Sequence, residues 1–136
     1  MALTPKNSTS IFRLSIITNM LYYGHARTET LIILSGEIKT PPFSEEARIE
    51  AGTLLGVLQG AGSLSMPQAR PMPALGTRCL ELRIKDKTTE WRIFCRVDPD
   101  AVLMVHVLAK KTRQTPDAVI KLCVGRLKTY DRLTKG

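Results

Sequence analysis

The feature that most constrains the fold of this 136-residue chain is a change of period at Cys79. From there CLELRIKD alternates Leu80, Leu82 and Ile84 with Glu81, Arg83 and Lys85, and EWRIFCRVD alternates Trp91, Ile93, Cys95 and Val97 with Arg92, Phe94 and Arg96. Period-two alternation sends successive side chains to opposite faces of a pleated strand, so these runs predict two half-buried strands joined by the turn DKTT. After the turn DPD, AVLMVHVLA is almost wholly apolar, which suits a central strand covered on both faces. The three runs predict an antiparallel meander.

The earlier part of the chain supplies the remaining layers. ETLIILSG reads as a further strand of the same sheet, because Leu31, Ile32, Ile33 and Leu34 form a short β-rich run bounded by Gly36. The prolines of IKTPPF break it, and Ser44 then offers an N-cap with Glu45 and Glu46 in the first turn, where the helix dipole favours carboxylates. Ala47, Ala51, Leu54, Leu55 and Leu58 recur at helical spacing, and Gly60 stands at the expected C-terminus. AGSLSMPQARPMPALGTR, with three prolines and two glycines, predicts a long loop with little regular structure. Beyond AKKTRQTP, Thr115 and Pro116 open a second helix with Asp117 in its first turn. Val119, Ile120, Cys123, Leu127 and Tyr130 form its apolar side, while Lys121, Gly125, Lys128 and Arg132 form a solvent-facing stripe. Residues 29–136 therefore read as one α+β domain: strand, helix, meander, helix.

Residues 1–28 read as an extension of unclear status. IFRLSIITNMLYYGHA carries a short apolar run interrupted by Arg13, Thr18 and Asn19, too short to span a bilayer. No membrane partner is expected. Cys79, Cys95 and Cys123 are widely spaced and lack a C-x-x-C arrangement, so reduced, buried thiols in a cytoplasmic protein are the reading. With only His25 and His106 available, no metal and no cofactor are expected.

A net charge of +8 points to an anionic partner, and the excess is uneven. Residues 81–136 hold 13 Lys and Arg against 7 Asp and Glu, whereas residues 1–80 hold 7 against 5. If the hairpin pairs as the alternation requires, Glu81, Arg83, Arg92 and Arg96 share the sheet face opposite the core. Lys110, Lys111 and Arg113 follow at the end of the third strand and extend that basic surface. A charged strand face is by itself a solvated surface; its convergence with the lysine step is what suggests a phosphate-binding concavity. His106 and Trp91 read as sheet or core residues, and the sequence contains no His/Asp/Ser grouping, Gly-rich phosphate loop or H-E-x-x-H. The remaining chemistry is that of arginine and lysine. These residues suit RNA cleavage, in which the 2′-OH attacks the adjacent phosphorus and the extra phosphorane charge must be stabilised.

The succession from LLGVLQGAG through CLELRI and EWRIF to AKKTRQTPDAVIK resembles the phage-derived branch of the RelE/HigB superfamily of type II toxin-antitoxin toxins. The resemblance runs from about Gly36 to Leu133 and rests on the helix end LxxLQ-G, the ELRI strand, the aromatic-Arg-Ile pair Trp91 to Ile93, and the step from Lys110 to Pro116. It implies a small RelE-like α+β fold and a metal-independent endoribonuclease that cleaves mRNA, in many relatives at the ribosome, and is neutralised by a cognate helix-turn-helix antitoxin. By motif position it implies Arg92 for phosphate and transition-state binding, Arg83 as its neighbour, and Lys110 or Lys111 for the leaving group or backbone. Arg96, Arg113, Lys85, Lys121 and Lys128 would complete the RNA-binding set. The chain departs from similar sequences at Cys95, where tyrosine is frequent, and at Val124 and Gly125, where arginines are frequent. Two other functions remain open: a ParE-like poison of DNA gyrase, which would not need Arg92, and an antitoxin- or nucleic-acid-binding protein with weakened catalysis.

Overall fold

The computed structural model describes residues 29–34, 43–110 and 113–135. The expectations for residues 1–28, for the break around Pro41 and Pro42, and for Lys111 lie outside them. Five strands form one sheet in the order β1-β5-β4-β3-β2: β1 Thr30–Ile33, β2 Ala69–Pro71, β3 Cys79–Lys85, β4 Glu90–Val97 and β5 Ala101–Ala109. Helix α1, Glu45–Gln59, precedes β2, and helix α2, Asp117–Lys135, ends the chain. The α+β class, the meander β3-β4-β5 and both helices stand where the periodicities put them. The sheet is mixed, however, because β1 runs parallel to β5, with Ile32 opposite Leu103. The loop after α1 is also more ordered than its prolines suggested. Its Ala69–Pro71 segment pairs with β3, and a single turn of 3₁₀ helix spans Pro73–Leu75.

Helix α1 starts as its sequence dictates: the Ser44 hydroxyl accepts a hydrogen bond from the Ala47 N–H at 3.1 Å. Its apolar stripe, Ala47, Ala51, Leu54, Leu55 and Leu58, is buried against Leu82, Ile84, Trp91, Ile93, Val102 and Met104 of the sheet. Asp86, in the hairpin turn, fastens this layer by accepting from the Ser44 N–H at 2.9 Å and the Trp91 Nε1–H at 3.2 Å. Hydrogen bonding, above all from Ser44, holds its carboxyl well below the usual range.

The opposite face corrects one expectation. It is not a free solvated surface, because α2 lays Cys123 and Leu127 over Phe94, Leu103 and Val105, with Met72, Leu75 and Cys79 completing a second core. This explains why β5 is apolar on both sides. A β-bulge sets Phe94 opposite His106 and Cys95 opposite Met104, leaving Val105 without a partner residue on β4. All three cysteines are buried and unbridged, and burial raises each thiol, that of Cys123 to about 11.

Candidate functional site

The charged residues predicted for the face beneath α2 are there, and they fall into two groups along β4. Arg83 and Arg92 stand directly opposite each other on β3 and β4. Like charges in that position repel, so the pairing needs an anion. Glu81 supplies it from two residues upstream on the same side of β3. Its Oε1 accepts from Arg83 Nε at 3.1 Å, and its Oε2 lies 3.2 Å from Arg92 Nη1. The Glu81 side chain is fully buried and that of Arg92 only 3 % exposed, so the two charges lie out of solvent and offset each other, with Arg83 as the second cation beside Glu81. Arg92 Nη1 also reaches the Arg113 carbonyl oxygen at 3.4 Å, tying the strand pair to the chain beyond β5.

At the open end of the row, the Lys110 N–H donates to the Glu90 carbonyl oxygen at 2.7 Å and sets the two side chains side by side. Glu90 Oε2 lies 3.6 Å from Lys110 Nζ and 3.9 Å from Arg92 Nε. These are ion-pair separations too long for hydrogen bonds. Three cations and two carboxylates thus alternate across three strands: Arg83, Glu81, Arg92, Glu90, Lys110. Arg83 and Lys110 keep 23 % and 33 % of their side-chain surface open. Arg113 is exposed at the rim, as is Lys85, which pairs in register with Glu90 at the hairpin end.

Arg96 belongs to a different arrangement. Its Nε and Nη2 donate to Asp98 at 2.9 Å each, and its Nη1 and Nη2 donate to Asp131 of α2 at 3.0 and 2.6 Å. The Tyr130 ring lies 5.9 Å away. Asp131 above all strengthens its hold on the proton, and Arg78 Nη2 braces Asp98 at 3.0 Å. The guanidinium placed by sequence in the RNA-binding set is therefore engaged in clamping α2 to β4. Lys121 and Lys128 are exposed on α2, outside the alternating row.

Between the two groups sits His106. Arg126 of α2 donates from Nη1 to the Val105 carbonyl oxygen at 2.8 Å and approaches His106 Nδ1 at 3.1 Å. A guanidinium only donates, so this contact assigns the lone pair to Nδ1 and the proton to Nε2. Burial, then the Arg126 charge, lowers the imidazole pKa.

Sequence reasoning placed Glu81 on this face without giving it a role and missed Glu90 altogether. The signal was present in both cases: Glu81 and Arg83, like Glu90 and Arg92, are two apart on a strand and share a side. Arg126 and Asp131 gave no such signal, since the partners described above, Val105, His106 and Arg96, lie twenty or more residues away.

A mixed sheet covered by one helix on each side, with an alternating row of cations and carboxylates on the face that the second helix packs against, defines the class: a small α+β protein with a charged sheet-face row. The family model for phage-derived protein Gp49-like (DUF891) matches residues 41–128, well over half of the chain and every described residue of the row, and the chain belongs to that family. No curated protein matches the chain. No helix among the described residues is long and apolar enough to cross a membrane.

Proposed function

We propose that the chain is the toxin of a type II toxin-antitoxin pair, a metal-independent endoribonuclease that cleaves mRNA at the ribosome in the cytoplasm and is neutralised by a cognate helix-turn-helix antitoxin. Membership in the phage-derived Gp49-like family supports the toxin class. The observation that carries the chemistry is the row Arg83–Glu81–Arg92, with Lys110 at its open end. In this reading Arg83 and Lys110 meet the phosphodiester, and Arg92, held from below by Glu81, directs its remaining donors at the same group. The ribose 2′-oxygen forms a bond to phosphorus as the bond to the 5′-oxygen breaks; one proton leaves the 2′-OH and one reaches the departing oxygen. Guanidinium donors stabilise the charge that builds on the non-bridging oxygens between those events, and the Lys110 ammonium lies where it can stabilise the leaving oxygen.

A second reading has its own support: Arg92 is almost wholly enclosed and faces two carboxylates, as suits a protein that binds an antitoxin or nucleic acid without cleaving. Mapping transcript 5′ ends after induction separates the two. The nuclease reading expects new ends inside coding regions together with growth arrest, both reduced at least a hundredfold by Arg83→Ala or Arg92→Ala with antitoxin binding retained. Absence of new ends from the unmutated protein overturns it, and intact mRNA beside broken DNA would instead select gyrase poisoning.

A further inference from the structure

Within the row, the two carboxylates are not equivalent. Glu81 is fully buried, with Oε1 hydrogen-bonded to Arg83 and Oε2 in a close 3.2 Å ion pair with Arg92 but without a hydrogen bond of its own, whereas Glu90 keeps a quarter of its side-chain surface open and comes no closer than 3.6 Å in its two ion pairs. Glu90 Oε2 and Arg92 Nε are both shielded from solvent, and neither has a hydrogen-bond partner among the described residues. An arginine that is 3 % exposed and holds a donor unfilled is costly unless something else fills that donor. The Glu90 carboxylate lies on that side of Arg92, between it and Lys110, without bonding to either.

We infer that Glu90 occupies a phosphate subsite formed by Arg92 Nε and Lys110 Nζ, and that a phosphodiester of single-stranded RNA displaces it on binding. This rests on the proposed RNA-cleaving function and adds to it the resident anion that the substrate must displace. The geometry favours displacement. A phosphate brings two anionic oxygens and can bridge a guanidinium N–H and an ammonium at true hydrogen-bond lengths, which one carboxylate oxygen at 3.9 and 3.6 Å does not. Glu90 begins β4 beside the hairpin turn, so its side chain can swing outward without disturbing the ladder. Glu81, by contrast, stays in place as the positioning residue that keeps Arg83 and Arg92 together. The subsite then gains specificity for a ligand more strongly charged than the carboxylate it replaces.

The test is binding of the full chain to a 2′-O-methyl RNA oligonucleotide, which cannot be cleaved, followed by fluorescence anisotropy across a salt series. Removing the resident charge by Glu90→Gln is expected to tighten binding about tenfold. It should also steepen the salt dependence by about 0.7 in log–log slope, the release of one counterion from a single strand. In a Lys110→Gln background the gain should shrink to twofold or less, because the subsite is then incomplete. Glu81→Gln is expected to weaken binding. Unchanged or weaker binding by Glu90→Gln, with circular dichroism matching the unmutated chain, overturns the proposal, as does a full tenfold gain in the Lys110→Gln background. Cleavage is scored separately, on unmodified mRNA under translation with ribosomes present. A tenfold gain without cleavage by any form supports the subsite and refutes the nuclease reading, whereas cleavage with no gain refutes the subsite alone.

Discussion

Arg92 and Arg96 lie four residues apart on one strand, face the same side of the sheet, and are both nearly buried, yet their surroundings have opposite consequences. The four side-chain hydrogen bonds of Arg96 all close on carboxylates, and one of those carboxylates is carried by α2. Arg92 has one close carboxylate, one distant one and an unfilled donor. The difference is where α2 lies. Over Arg96 the helix brings Asp131 and completes the network, making a structural clamp. Around Arg92 no second carboxylate stands at hydrogen-bond length among the described residues, and the same residue type is left with a donor able to take a ligand.

The largest effect expected from this comparison is on stability. Arg96→Ala leaves Asp98 and Asp131 facing each other without their shared cation and unties α2, so it should cost about 3 kcal/mol, at the lower end for a broken buried pair because Asp131 is a third exposed. Arg92→Ala leaves Glu81 still hydrogen-bonded to Arg83 and should cost less, about 1–2 kcal/mol. Urea denaturation of the two variants compares them directly. A larger loss from Arg92→Ala would break the assignment of clamp and site.

A smaller effect is expected between the two arginines, at His106. Its folded-state pKa lies below the ordinary 6.5, so the fold holds it neutral while the unfolded chain takes up a proton below that pH. The resulting stability is fully present above pH 6.5 and is lost as pH falls from there toward the folded value, since protonation sets an imidazolium against Arg126. Glutamine keeps an acceptor for Arg126 and removes the titration. Denaturation midpoints should therefore decline between pH 7.5 and 5.5 more steeply for the unmutated chain than for His106→Gln. Parallel declines would mean that the contact with Arg126 does not couple α2 to pH.

Much of this arrangement was legible in the sequence, for reasons that particular residues make clear. The alternation from Cys79 to Val97 fixed which side chains share a face, and the structure keeps that register, so Arg83 and Arg92 meet as expected. Ser44 with Glu45 and Glu46 located the start of α1, and the apolar run from Ala101 gave a strand covered on both sides. The sequence was silent where contacts join distant segments. Nothing local tells that β1 pairs parallel to β5, or that Asp131 would reach back 35 residues to Arg96. The reading of a free basic face failed for the same reason. Strand periodicity separates two faces but does not say which segment covers the second.

The smallest predicted effect tests whether α2 belongs to the clamp alone or to the whole fold. Gly125 sits in the middle of α2, is exposed, and an added Cβ would meet nothing within 4 Å. With no steric penalty, Gly125→Ala should stabilise the helix by about 1 kcal/mol through backbone entropy. If Arg96 and the Cys123–Leu127 core lock α2 to the sheet, the helix unfolds with the rest and the full gain appears as a rise of about 4 °C in Tm. If α2 opens independently, the gain appears instead as slower amide exchange along Asp117–Lys135 with Tm unchanged. The second outcome would separate the clamp from the cooperative core and make the cover over the arginine face a movable element. No gain by either measurement would refute the helix-propensity argument at this position.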